Sequence, residues 1–338
     1  MSTILMMLAE EPAATTNDNF AVQYSVDEED CLEFSRALQA QGFDVYFVNW
    51  NDLERGRFQR MFSDNRKQFV MPREIDDFDL VFIYKMEGFL LDHPRFRRIL
   101  RQLEASPALL VNDPATIRHN MDKRYLWDLE RNGVRILPTY AVNGTIRSRL
   151  TAGERFIVKP ARGERGGDVF CARSPADLDV IAGRESDFLA QVYEPAVRDG
   201  ERSLVFLGHE FQHAVLKRPS AADPDEFRCN ESVGGTVEVL DPTPQDLDFA
   251  RQVLAVYGAL GFPIHFSRVD TFVSQDGPVL LEAELLNPSI YANYSGKGAA
   301  FSESLAGYFA GLLAGRRSLP QVAASSTRGK GVQHAQRI

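Results

Sequence analysis

Three carboxylates in the last third of the chain have the types and spacing for metal chemistry. Asp270 stands in Arg268-Val-Asp270-Thr-Phe, and Glu282 and Glu284 stand in Leu280-Leu-Glu282-Ala-Glu284-Leu-Leu-Asn287-Pro288. Read as Ser267 to Ser274 and Val279 to Leu286, the two segments form a hairpin about Gln275-Asp-Gly-Pro278, where Asp-Gly is the turn signal. Side chains alternate along a strand, so Glu282 and Glu284 share a face. A five-residue loop (274–278) sets Asp270 opposite Glu282, and a three-residue loop (276–278) sets it opposite Glu284. Either way three carboxylates crowd one patch, and they repel unless protonated or neutralised by a cation. Oxygen-only donors point to Mg²⁺ or Mn²⁺ rather than zinc, and Mg²⁺ also takes substrate phosphates as ligands. The alternative is a solvated strand face whose glutamates pair with Arg268 or Lys297.

Positive charge is available to meet phosphates. Lys159 ends an apolar strand and is followed by Gly163-Glu-Arg-Gly166-Gly167, whose glycines let backbone N–H groups approach an anion. It is no Walker A loop, because the lysine precedes the glycines, and a plain turn between two strands competes with the phosphate reading. Lys123 sits in a helical pattern and Lys217 ends a hairpin; each alone would be a surface lysine. A second motif, His209-Glu210-Phe-Gln-His213, spells the HExxH zinc signature. That chemistry needs both histidines one helical turn apart. Here the surroundings are β-branched and aromatic with Gly208 at a turn, and on a strand the two histidines stand about 13 Å apart. The zinc-peptidase reading is set aside on that ground.

The elements that must position these groups read as α/β (α+β). Strands Ile4 to Leu8, Asp44 to Trp50, Asp79 to Tyr84 and Ala108 to Asn112 alternate with helices from Asp27 to about Gln41 and from Pro94 to Ala105. That alternation implies a mostly parallel sheet covered on both faces. Asn51 to Asp77 is charged and poorly periodic, and reads as loop with one helical segment. Pro114 to Asn132 reads as one helix stopped by Gly133. Strands follow at Arg155 to Lys159, Val169 to Ala172 and Phe188 to Tyr193, with a short helix from Pro175 to Ile181 between the last two. A hairpin spans Ser203 to Arg218, and helices span Pro244 to Leu260 and Ala299 to Leu313. Residues 316–338, basic and free of acidic side chains, read as a disordered tail. No internal repeat is visible.

Composition bounds the function. The 338 residues carry 38 basic and 47 acidic side chains, net −9, which argues against a broad nucleic-acid surface while leaving room for a local phosphate pocket. Cys31, Cys171 and Cys229 are widely spaced, odd in number and without a CxxC pair, as in a reducing compartment. No run approaches the ~20 apolar residues of a spanning helix, and the short apolar N-terminus lacks the basic lead of a signal peptide. The chain therefore reads as cytoplasmic, with no membrane partner.

Taken in order, the pieces resemble an ATP-grasp ligase over roughly residues 3–315. The matching stretches are Val111-Asn-Asp-Pro-Ala-Thr-Ile-Arg118 with Asp122-Lys123, Phe156-Ile-Val-Lys159-Pro, Gly163–Gly167, Ala190-Gln191-Val-Tyr193-Glu-Pro195 and Gly200-Glu201-Arg-Ser-Leu. They continue with Phe227-Arg228-Cys-Asn230 followed by Gly234-Gly235, and with the segments holding Asp270, Glu282, Glu284 and Asn287. The likeness is to the glutathione-synthetase-like branch, and within it most of all to the ligases that close D-cycloserine from O-ureidoserine. Glu282-x-Glu284 where glutathione synthetase has Glu-x-Asn, and Gly200-Glu201-Arg202-Ser203 where it has Gly-Asp-Lys-Arg, separate the chain from glutathione synthesis itself.

The resemblance implies an ATP-grasp fold behind a Rossmann-like subdomain. Its divisions would be a substrate subdomain (1–114), a central and lid subdomain (115–192) and a C-terminal subdomain with the metal site (193–315). Lys123 and Lys159 would contact the ATP phosphates, Gly163, Gly166 and Gly167 would belong to a lid, and Gln191, Val192 and Tyr193 would read the adenine through backbone groups. Glu201 would reach the ribose. Lys217 and Arg228 would face the transferring phosphate as the catalytic cations, and Asn230, Gly234 and Gly235 would bind substrate. Asp270, Glu282 and Glu284, with Asn287, would hold two Mg²⁺ ions, Mn²⁺ being the substitute. The reaction implied is ATP-dependent joining of an amino-acid or small-peptide carboxylate to an amine through an acyl-phosphate, releasing ADP and phosphate, with a homodimer as a conceivable assembly. The competing readings are a phosphotransferase that stops at phosphorylation and a regulatory nucleotide-binding protein with a dead site.

Overall fold

The structure, a computed structural model, describes residues 2–8, 29–86, 88, 93–163, 166–223 and 226–318. The expected Asp27 cap, two residues of the glycine loop, and the tail beyond Ser318 lie outside the described residues. Three sheets of six, four and five strands carry the fold, with a small three-stranded sheet at one edge.

The first sheet is built from β1 (Thr3–Leu8), α1 (Glu29–Ala40) and β2 (Asp44–Asn49), then β3 (Leu53–Glu54), β4 (Arg57–Phe58), β5 (Met61–Ser63), β6 (Gln68–Val70) and β7 (Arg73–Glu74), and finally β8 (Leu80–Ile83), α2 (His93–Glu104) and β9 (Leu109–Val111). Its order is β6-β5-β2-β1-β8-β9, with β2, β1, β8 and β9 parallel. Period-two alternation in β1 sends Ile4, Met6 and Leu8 to one core and Leu5 and Met7 to another, so both faces are covered as expected. The stretch Asn51–Asp77 departs from expectation. It holds five short strands and two 3₁₀ turns. Its buried residues Leu53, Phe58, Met61 and Phe62 come singly or in pairs between turns, too briefly for either period to declare itself.

The second sheet follows α3 (Pro114–Asn120) and α4 (Tyr125–Arg131), which replace the single helix expected there. It comprises β10 (Thr139–Ala141), β11 (Phe156–Pro160), β12 (Phe170–Ala172) and β13 (Phe188–Val192), in the order β10-β13-β11-β12, with α5 (Gly144–Thr151) on one face. The third sheet has the order β16-β15-β14-β17-β18, from β14 (Glu201–Leu207), β15 (Glu210–Arg218), β16 (Thr236–Val239), β17 (Phe266–Ser274) and β18 (Gly277–Glu284). The helix α6 (Pro244–Ala259) joins β16 to β17, and a short α7 (Ala292–Ser295) leads into α8 (Gly298–Ser318). The last helix runs to Ser318, so residues 316–318 are helical rather than part of a tail. No described helix is long and apolar enough to cross a membrane.

Cores do not follow chain order. α4 buries Leu126 and Leu129 with α6 under the third sheet, and α8 buries Phe301, Leu305 and Phe309 against the first. Two buried asparagines tie the sheets together. Asn112 donates to the carbonyls of Phe266 (2.6 Å) and Leu285 (2.8 Å) and accepts from the N–H groups of His265 and Phe266. Asn120 donates to the Ala283 carbonyl (2.7 Å) and accepts from the Leu285 N–H (3.0 Å).

Candidate active site

The third sheet is two-faced. Leu204, Phe206, Ala214, Val269 and Ala283 pack with Val253, Leu254 and Tyr257 of α6. The opposite face carries Glu201 beside Lys217, Ser203 beside Asp270, Asp270 beside Glu282 and Arg268 beside Glu284. Asp270 does oppose Glu282, but the loop is neither three nor five residues long. Ser274 pairs with Gly277, and a bulge at Leu281, between the pairs Thr271–Leu280 and Asp270–Glu282, restores the register.

The carboxylates share a face, yet cations interleave them. Arg268 grips Asp270 from Nε (2.8 Å to Oδ1) and Nη2 (2.7 Å to Oδ2), Ser203 donates to Oδ1 at 2.6 Å, and Arg268 Nη2 stands 3.7 Å from Glu284. Lys123 Nζ pairs with Glu282 at 2.7 Å, and Lys217 pairs with Glu201 and lies 4.0 Å from Asp270. Among the described residues no three His, Cys, Asp or Glu side chains converge to hold a metal ion. Burial works against the charge of Asp270, but Arg268 and then Lys217 outweigh it and bring its pKa down to about 2. Lys217 is likewise desolvated, and Asp270 and Glu201 hold its pKa well above the usual lysine range. Two carboxylates go the other way: burial raises Glu201, and burial and then the charge of Glu282 push Glu284 up to about 8.

This face forms one wall of a cavity of about 300 Å³ whose other wall is the second sheet. There Lys159 donates to Gln191 Oε1 (3.2 Å), Gln191 donates to Thr139 (3.0 Å), and burial lowers the Lys159 pKa to about 8. The gap between α3 and α4 brings Lys123 in: its N–H donates to the Ala161 carbonyl (2.7 Å) and its Nζ to the Gly163 carbonyl (3.0 Å). A continuous helix would have spent that N–H within itself. Apolar Leu137, Ile157, Val192 and Leu281 also line it. Gly163, Gly166, Gly167, Gln191, Val192, Tyr193, Glu201, Arg228, Asn230 and Asn287 also line the cavity. The backbone N–H groups of Val192 and Tyr193 are already spent on the Pro138 and Arg155 carbonyls (2.9 and 3.0 Å), so they are not open for reading a base.

Other expected residues stand as follows in the fold. Gly234 and Gly235 are absent from the cavity lining and instead shape the loop beneath it. Gly234 adopts φ +86°, and a Cβ on Gly235 would stand 2.4 Å from the Cys229 carbonyl oxygen. Asn287, at φ +59°, accepts from the Met86 N–H and so joins the segment after β18 to the segment after β8. The HExxH motif lies on strand and turn as expected: His209 is exposed beside Gly208, whereas His213 is buried in β15 and donates to the Ile290 carbonyl at 2.6 Å. Sequence reasoning missed Tyr291, which holds φ +54° and offers its ring to both Lys217 (5.4 Å) and Arg268 (5.5 Å). It also gave Arg268 only a pairing role, although the alternation that places Asp270 on this face places Arg268 there too.

Comparison with known proteins places this arrangement. The profile of the prokaryotic glutathione synthetase ATP-grasp domain matches residues 139–266. The cycloserine biosynthesis protein DcsG of Streptomyces lavendulae is 31% identical over 228 residues, covering 58% of this chain and 72% of that protein. Glutathione synthetase of Pseudomonas putida is 25% identical over 248 residues, 68% of this chain and 77% of that protein. Among solved structures, that of D-cycloserine synthetase DcsG superposes with a TM-score of 0.70 at 22% identity, covering 92% of this chain and all of that one. D-alanine–D-alanine ligase from Bacillus anthracis superposes at 0.61 with 14% identity, covering 94% and 99%.

Proposed function

On the premise that the chain belongs to the ATP-grasp superfamily of ATP-dependent carboxylate–amine ligases, in its glutathione-synthetase-like branch, we propose that the cavity between its second and third sheets activates an amino-acid or small-peptide carboxylate as an acyl-phosphate. The observation that carries this reading is that a single cavity is lined both by apolar side chains (Leu137, Ile157, Leu281) and by Lys123, Lys159, Lys217, Arg228 and Arg268. A nucleotide calls for both, apolar surface for its base and cations for its phosphates.

In this reading Lys159 and Lys123 orient the phosphates from opposite walls, and Glu201 reaches the ribose. Glu282 and Glu284, with Asp270 and Asn287 beside them, would hold the metal ion. The donors are all oxygens, and Arg268 Nη2, 3.7 Å from Glu284, leaves that carboxylate without a direct hydrogen bond, which suits a hard divalent ion such as Mg²⁺. When bound, Mg²⁺ supplies positive charge against the phosphate oxygens. The cations Lys123 and Lys217, paired with Glu282 and Glu201, exchange their carboxylates for phosphate. A substrate carboxylate oxygen attacks the γ-phosphorus and ADP leaves. The amine nitrogen then attacks the acyl carbon and loses a proton as phosphate departs with the carboxylate oxygen. Lys217, Arg228 and Arg268 face the charge that moves through these steps.

The test is a phosphate-release screen of amino acids and dipeptides with Mg-ATP, followed by mass spectrometry of the product. ADP and phosphate are expected. With an ¹⁸O-labelled carboxylate substrate the released phosphate carries the label. AMP with pyrophosphate, or unlabelled phosphate, overturns the reading.

A further inference from the structure

Glu226 and Arg228 stand two residues apart, and the carboxylate takes the guanidinium side-on: Nε donates to Oε1 at 2.9 Å and Nη2 to Oε2 at 2.8 Å. The same Oε1 accepts the backbone N–H groups of Phe227 (3.1 Å) and Arg228 (2.9 Å), so the loop fixes the carboxylate that fixes the arginine. Arg198, another cavity residue, donates to the Glu226 carbonyl at 2.6 Å. The Glu226 side chain is 10% exposed, that of Arg228 32%. A guanidinium has five N–H donors, and the side-on grip uses two. The second N–H of Nη2 and both on Nη1 have no protein partner among the described residues. The arginine stem lies under the glycine loop, its Cδ 3.6 Å from where a Cβ on Gly166 would sit.

We propose that Glu226 is a positioning residue for phosphoryl transfer: without touching nucleotide or substrate, it holds Arg228 so that the open N–H donors face the phosphate end of the cavity. The proposal rests on the ATP-site reading above. A half-exposed arginine left to itself samples many rotamers and loses that freedom at the moment it binds an anion. The carboxylate weakens the net charge of Arg228, which acts on ground state and transition state alike. The fixed orientation acts where transfer needs it. Burial does not hold Arg228 in place; the Glu226 grip does.

The test uses the full chain with Mg-ATP, following nucleotide affinity by calorimetry and slow phosphate release by a coupled assay. In Glu226→Ala phosphate release is expected to fall about tenfold, while affinity for Mg-ATP stays within about threefold. Arg228→Ala falls at least as far, and the double variant is no slower than Arg228→Ala, because the two act as a unit. Free guanidinium ion restores Arg228→Ala but not the double variant, a readout that mere loop damage does not produce. Glu226→Gln, which keeps the shape and the two backbone hydrogen bonds, shows a partial loss at unchanged melting temperature. Fully additive losses, or an unchanged Glu226→Ala, overturn the proposal while leaving the ligase reading intact. A wild-type chain that binds no Mg-ATP overturns both.

Discussion

Lys159 shows what a phosphate site demands of one side chain. Burial lowers its pKa to about 8, so its charge is held at a cost to the fold. That penalty is present below about pH 8 and relieved as pH rises through 8 toward the unfolded lysine value, so this lysine makes the fold more stable at high pH. Binding runs the other way, because a phosphate needs the charged form. The affinity for Mg-ATP is therefore expected to weaken about tenfold between pH 7 and pH 9, measured by calorimetry. Lys159→Met should flatten that slope, melt higher than wild type at pH 7, and cost about 3 kcal/mol of transition-state stabilisation. A slope that survives in the variant would assign the titration to another group. The second residue to test is Glu282, whose pair with Lys123 is partly exposed and contributes about 1 kcal/mol or less to the fold. Glu282→Gln should therefore keep its melting temperature yet lose about 100-fold or more in turnover. Full turnover at saturating Mg²⁺ rejects the assignment.

Elements make these residues meet. β18 delivers Glu282 and Glu284 only because its far end is fastened to the first sheet, and Asn112 is the fastening: four backbone groups of 265, 266 and 285 are satisfied by one amide. Asn112→Ala is expected to destabilise the chain by about 3 kcal/mol or more in urea unfolding, because buried carbonyls and N–H groups lose their partner together. A loss below about 1 kcal/mol would mean that water replaces the amide. Much of this level was legible in the sequence. The strands holding Lys159, Lys217 and Asp270 lie within a residue or two of their expected bounds, because apolar alternation spans each of them. The helix break at Met121–Arg124 was not legible, since Lys123 leaves the helix to reach Ala161, some forty residues away in sequence. Nor was the bulge at Leu281, which no residue type announces. Gly234 and Gly235 were visible as a pair, but their spacing could not tell whether they line the cavity or shape the loop beside it. Tyr291 went unread because its importance lies in a left-handed turn between two cations brought together by distant strands.

At the scale of the molecule, the cavity belongs to no single sheet. Lys159 and Gln191 come from the second, Asp270, Glu282 and Lys217 from the third, and Lys123 from the break that joins them. The two sheets keep separate cores: Val158, Phe156 and Ala190 pack among their own helices, and Leu204, Val269 and Ala283 among theirs. Across the cavity itself the Lys123–Glu282 pair, whose members are partly exposed, joins the walls, and Gly166 lies against the Arg228 stem. A nucleotide that touches both walls, as proposed, would oppose any separation of the second sheet from the third. A ligand at a hundredfold over its Kd stabilises the closed form by about 2.7 kcal/mol. Hydrogen exchange with and without Mg-ADP should show slowed amides in β11, β13, β17 and β18, where local opening limits exchange. The parallel strands β1, β2 and β8, none of whose residues line the cavity, should change little. Protection confined to the first sheet would place the nucleotide elsewhere. Equal protection throughout would mean that the walls separate only when the whole chain unfolds.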